Sequence, residues 1–262
     1  MGWSDAYNYL RNGAAKLAGN EAPRTDTGLP LGARIGSVVG IQQSPLLRAV
    51  GDGSLITLPA ADDTRIVAVS QLRLQQSGGL YRYYLETGDR DDEREKFLQV
   101  YQNAGGAVSE ILYCSQLARV IPETIEDQDA YTGRASAGLG DRSYTLWRDQ
   151  LNDIGLDQSD LDMIFGDRDS LPYRRDAGDP QAEFVPPYTG TETRLDDSGG
   201  RSGLRQEVYF MPYVRQLRGG GYEYLLITTE IIHSVNGDTS KRGIHVDFVI
   251  GIPVEQQRIV IQ

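Results

Sequence analysis

The chain has 262 residues, with 26 Lys and Arg set against 37 Asp and Glu, a formal net charge of -11. That charge repels a phosphate backbone unless the bases gather on one face, and the sequence shows no such cluster, so nucleic acid is not an expected partner. A hydrophobic fraction of 39% and a charged fraction of 24% argue against both a disordered chain and a membrane-embedded one.

No apolar run approaches the roughly 18 to 20 residues that span a bilayer, and the N-terminus lacks a signal-peptide pattern. The single cysteine, Cys114, permits neither an intrachain disulfide nor a Cys-based zinc cluster. The expected location is the cytoplasm, at most peripheral to the inner membrane, and the expected fate of Cys114, in an apolar run, is a buried inert thiol.

In chain order, Trp3, Ala6, Tyr7, Leu10, Ala14, Leu17 and Ala18 recur at three- and four-residue steps, which predicts an amphipathic helix within residues 1–19. So short a helix needs a surface to pack on, and Trp3, Tyr7 and Leu10 are candidate partner-binding residues, whether the partner is another protein or a second copy of this chain. Residues 20–28 are rich in polar residues and read as a linker, so the domain proper is expected over 29–262.

From residue 34 to 114 short β-like runs alternate with turn chemistry such as Gly51-Asp52-Gly53-Ser54 and Ser77-Gly78-Gly79. Leu146, Trp147, Leu151, Ile154, Leu161 and Ile164 then adopt helical spacing, which predicts two short helices split near Gly155. Residues 166–202, with Pro186-Pro187 inside them, read as a long irregular excursion. Strand patterns return over 204–217, 222–235 and 244–254, with 258–261 as a final short strand. The expected fold class is α+β, mainly β, built from antiparallel sheets as a sandwich or a partly open barrel, with two short central helices and the N-terminal amphipathic helix.

An internal echo runs through this pattern. Val69-Ser70-Gln71-Leu72-Arg73 leads through glycines to Tyr81 and Tyr83, and Val214-Arg215-Gln216-Leu217-Arg218 leads through glycines to Tyr222 and Tyr224. It reads equally as two duplicated halves or as two hairpins meeting the same turn requirements. Side chains two apart share a strand face, so both tyrosine pairs are expected to line one surface, a candidate partner-binding face.

Three segments carry a family resemblance: Leu29-Pro30-Leu31-Gly32-Ala33-Arg34-Ile35-Gly36, then Gly51-Asp52-Gly53 before a short strand ending Leu58-Pro59, then Leu80-Tyr81-Arg82-Tyr83-Tyr84 with Phe97-Leu98-Gln99-Val100. Over residues 28–255 the chain resembles the YjfK-like proteins, a bacterial family of unknown function. The resemblance implies a cytoplasmic accessory protein of a membrane-stress-associated system, whose partner is a phage-shock-type coiled-coil protein or a small membrane protein. It implies no catalytic residues.

The chemistry-bearing residues are sparse. His233 and His245 flank a turn, and a hairpin centred near Thr239 would set them opposite each other with Asp247 two residues along, a candidate metal or acid–base set. Ser234 cannot pair with His233 as nucleophile and base, because neighbours in a strand point to opposite faces. No phosphate loop, serine-nucleophile elbow or calcium-loop pattern is present in the sequence. The functional expectation is a non-catalytic binding or accessory protein without a cofactor. The alternatives are a metal-binding or enzymatic site on the hairpin of residues 233–247 and self-assembly through the first helix.

Overall fold

The computed structural model describes residues 23–75, 77–87, 94–153, 156–232 and 243–262. The expected N-terminal helix lies outside them. In chain order the strands and helices are β1 (Val38–Ile41), α1 (Ser44–Gly51), β2 (Asp63–Leu74), β3 (Gly79–Leu85), β4 (Lys96–Gln102), β5 (Val108–Val120), α2 (Ile125–Thr132) and β6 (Ser143–Trp147). They continue with α3 (Arg148–Asp153), α4 (Gln158–Phe165), β7 (Ser170–Arg175), β8 (Tyr188–Leu195), β9 (Gly203–Gln216), β10 (Tyr222–Ile232), β11 (Gly243–Pro253) and β12 (Ile259–Ile261).

Eight antiparallel strands close on themselves in the order β2, β3, β4, β5, β11, β10, β9, β8 and back to β2. The mainly β, antiparallel class expected from the sequence is thus realised as a closed barrel, which removes the free edges of its staves. β8 is the closing stave. It pairs with the second half of β2, Leu72 facing Glu192, and with the first half of β9, Glu192 facing Gln206. Closure is tight at Gly190, where a Cβ would lie 2.1 Å from the carbonyl oxygen of Arg73. The free ends of the two shared strands branch: β2 also pairs with β1, which carries β12, and β9 also pairs with β7, which carries β6.

β3 (GLYRYYL) and β10 (YEYLLITTEII) are buried on both faces, which is why they are nearly continuous buried runs rather than half-polar alternations. The outward residues Val69, Tyr83, Leu98, Tyr113, Met211, Tyr213, Ile227 and Ile250 join Leu46, Leu55, Leu139, Leu161, Phe165 and Leu171 in the main hydrophobic core. The barrel wall is therefore wrapped from outside. Tyr83 donates to the Pro30 carbonyl at 2.9 Å and Tyr113 to that of Thr57 at 3.0 Å, while the Tyr213 hydroxyl accepts from Gly140 N–H at 2.9 Å. The inward residues form a second, smaller apolar cluster of Ala68, Tyr84, Phe97, Leu112, Cys114, Phe210, Leu226 and Val249, and beside it a polar one.

Several local expectations change. Residues 166–202 hold β7 and β8 rather than an irregular excursion, and β8 escapes a sequence reading because its inward side chains, Glu192 and Arg194, are charged. β6 precedes the two central helices, which begin only at Arg148. α1 and α2 were not foreseen. The echoing hairpins are β2–β3 and β9–β10, but their tyrosines do not share a surface: Tyr83 faces outward into the main core, whereas Tyr224 packs against the inner cluster.

Candidate functional site

The barrel interior is organised around Arg82 of β3, a residue only 3% exposed. Its Nη2 donates to Thr228 Oγ1 at 3.0 Å on β10, four staves away and so on the far side of the ring. Nη1 lies 3.4 Å from Glu192 Oε2 and 3.5 Å from Glu230 Oε1, Nε donates to Gln99 at 3.3 Å, and the guanidinium stands 5.3 Å from the Phe97 ring centre. Glu192 also accepts from Ser70 Oγ at 2.5 Å, Tyr84 OH at 3.1 Å and Gln206 Nε2 at 3.1 Å. A charge this deep is tolerated only when paired and hydrogen-bonded, and this one is.

At the end of the barrel where β10 stops and β11 starts, the pairing places Glu230, not His233, directly opposite His245. The assumed register is thus shifted by three residues, and His233 lies outside the described residues. His245 Nε2 is 2.7 Å from Glu230 Oε2. Asp247, on the same face, is held bidentately by Arg119, Nε to Oδ1 and Nη2 to Oδ2 both 2.7 Å, and accepts from Gln116 Nε2 at 2.9 Å. One ligand atom from each of Glu230, His245 and Asp247 falls within 4.8 Å of the others.

Burial raises the Glu230 carboxyl above the usual carboxylate range. The charges of Glu192 and Asp247 push the same way, against the opposing effects of His245 and Arg82. Cys114, in the same lumen, is fully buried and its thiol is pushed up by that burial, as an inert thiol requires.

A second candidate surface lies outside the lumen, where β7 meets β9. A groove of about 550 Å³ is lined by Ser143, Arg168, Leu171, Pro172, Tyr173, Arg174, Val214, Arg215, Gln216 and Tyr222. It contains three arginines and no carboxylate in a chain of net charge -11.

Arg215 is spoken for. Its Nε lies 2.7 Å from Glu223 Oε1 and its Nη2 donates to the Gly53 carbonyl at 2.7 Å. The same Glu223 carboxylate, wholly buried, accepts from Tyr173 OH at 2.5 Å, Leu55 N–H at 2.7 Å and Ser54 Oγ. This staple fixes one wall of the groove. Arg174 is exposed and has no ion-pair partner among the described residues.

Of the tyrosines singled out in the sequence, Tyr222 is 53% exposed on this groove, Tyr224 and Tyr81 are partly buried, and Tyr83 is wholly buried. Trp3, Tyr7 and Leu10 lie outside the described residues. Arg82, Glu192, Glu230 and Arg174 were not singled out. A lone arginine inside Leu80-Tyr81-Arg82-Tyr83-Tyr84 and a lone carboxylate inside an apolar β10 are the signals that each faces a buried partner.

Fold and site together define a wrapped, closed eight-stranded β-barrel with a charge-paired interior. A model described as "Protein of unknown function (DUF2491)" matches residues 14–260, and the chain belongs to that family. No curated protein and no solved structure matches it. Among the described residues, no helix is long and apolar enough to cross a membrane.

Proposed function

We propose that this protein is a non-catalytic binding module that receives a segment of a partner protein in the groove between β7 and the β9–β10 turn. The observation that carries this reading is the lining of that groove: arginines with no carboxylate, beside an exposed aromatic ring, on a chain that is otherwise strongly acidic. Arginine and tyrosine are the residues that anchor protein interfaces, because each offers a rigid, largely apolar plane with polar ends. The partner segment that fits presents carboxylates to Arg174 and Arg168 and an apolar side chain to Pro172 and Tyr222.

The terminal strand of the sheet path, β6, runs along the same side and has no second neighbour among the described residues. An extended segment lying in the groove can therefore gain main-chain hydrogen bonds from it. The resemblance to YjfK-like proteins directs the search for the partner to a membrane-stress-associated system, with a phage-shock-type coiled-coil protein or a small membrane protein as the first candidates.

The test is affinity purification in mild detergent of the wild-type chain beside Arg174→Glu and Tyr222→Ala. One stoichiometric partner recovered by the wild type and lost from both variants, with unchanged circular dichroism, supports the reading. A partner recovered equally by all three chains overturns it.

A further inference from the structure

The lumen end that carries His245 has a charge imbalance. Three carboxylates face inward there, Glu192, Glu230 and Asp247, against two guanidiniums, Arg82 and Arg119. Arg194, at the rim, is taken up by Glu95 and Asp196 at 2.6 and 2.8 Å. One negative charge is left over at this end, beside the His245 imidazole.

The two guanidiniums differ in exposure. Arg82 has a side chain 4% exposed and contacts on three other strands, β4, β8 and β10, so it is held from several sides. The Arg119 side chain is 46% exposed and reaches Asp247 from the barrel mouth. Its guanidinium covers the Asp247 carboxylate from the solvent side.

We propose that Glu230, His245 and Asp247 bind a divalent transition-metal ion at the mouth of the barrel, in the position that the Arg119 guanidinium occupies in its absence. The three donors sit on adjacent, fully paired stretches of β10 and β11, with ligand atoms within 4.8 Å of one another. Replacing Arg119 by a doubly charged ion brings the lumen from one net negative charge to neutrality.

Two carboxylate oxygens and one imidazole nitrogen suit zinc, cobalt, manganese or ferrous iron. They do not suit calcium, which takes six to eight oxygens, or cuprous copper, which prefers sulfur. Gln116, donating to Asp247, and Arg82, beside Glu230, hold the ligating carboxylates from behind. Binding requires a neutral imidazole and an ionised Glu230, so affinity falls as pH falls.

The experiment is calorimetric titration of the full-length chain with zinc chloride, with cobalt(II) absorption as a second probe. The expected result is one equivalent bound, weakened by about tenfold or more in His245→Ala and Asp247→Asn, and bound more tightly by Arg119→Ala, from which the competing cation is gone. The Arg119→Ala chain keeps all three ligands, so it carries the test even if His245→Ala fails to fold. Absence of saturable binding by both the wild type and Arg119→Ala overturns the proposal. So does binding that His245→Ala leaves unchanged, or an Arg119→Ala chain that binds no more tightly than the wild type. Because the groove residues take no part, this outcome is independent of partner recovery.

Discussion

Arg82 on β3 and Thr228 on β10 meet at 3.0 Å across the full width of the barrel. These staves share no backbone pairing, so the side-chain bridge ties together walls that the hydrogen-bonded ladder connects only the long way round. Arg82 is also the guanidinium that Glu192 and Glu230 share, at 3.4 and 3.5 Å.

Removing that cation is therefore expected to be severe. Arg82→Met removes the guanidinium from between two buried carboxylates, and the chain should lose about 3 to 5 kcal/mol of stability in urea unfolding. Adding Glu192→Gln and Glu230→Gln to the same chain should restore a large part of the loss, because the two carboxylate charges go with the cation. A triple variant no more stable than Arg82→Met would mean that Arg82 acts through packing alone.

Closure of the barrel depends on backbone approach at Gly190. Alanine there places a Cβ 2.1 Å from the Arg73 carbonyl oxygen, so β8 must separate from β2, at a cost of about 1 to 3 kcal/mol or more. Hydrogen exchange should show faster exchange of β8 amides with β3–β4 protection preserved.

The tyrosines divide by face. Tyr83→Ala empties a wholly buried site in the main core and should cost about 3 to 5 kcal/mol. Tyr222→Ala, at a half-exposed position, should stay within about 0.5 kcal/mol of the wild type. Thermal unfolding of the two variants separates the structural tyrosine from the surface one.

Two carboxyls give opposite pH limbs. Glu230 is raised by burial and by Glu192 and Asp247, against the hydrogen bond from His245 and the charge of Arg82. The folded chain thus holds that proton more tightly than the unfolded one. Its contribution is complete below the unfolded value and is lost as pH rises through the raised folded value, and Glu230→Gln should flatten that limb.

For Asp26, burial acts upward but is outweighed by the Arg24 guanidinium at 2.7 Å and the Ile35 N–H at 2.8 Å, which hold the carboxyl low. Its contribution is present above the ordinary carboxylate value and lost as pH falls through the lowered one, so Asp26→Asn should soften the acid limb. Urea midpoints across a pH series read both.

The outer face of the barrel was legible in the sequence because Val69, Tyr83, Leu98 and Ile227 obey an apolar pattern. The inner face was not. It mixes Ala68 and Phe97 with Ser70, Arg82, Gln99 and Glu192, so in β8 the alternation that marks a strand reads as loop chemistry. Proximity of His245 and Asp247 on one face followed from the two-residue period, but which residue of β10 opposes them depends on hairpin register, and a three-residue shift exchanged His233 for Glu230. Asn236-Gly237, the stronger turn signal in that stretch, lies on the side of the shift. The groove was beyond reach from sequence, since it is assembled from Arg174 and Tyr222 by the branching of β9.

The most direct measurement is photo-crosslinking in the native host from a benzophenone amino acid placed at Tyr222, with the same probe at Leu47, an exposed residue of α1, as control. Binding in the groove predicts one discrete adduct from position 222, abolished by Arg174→Glu and absent from position 47. An adduct that forms equally from both positions, or survives Arg174→Glu unchanged, would contradict it.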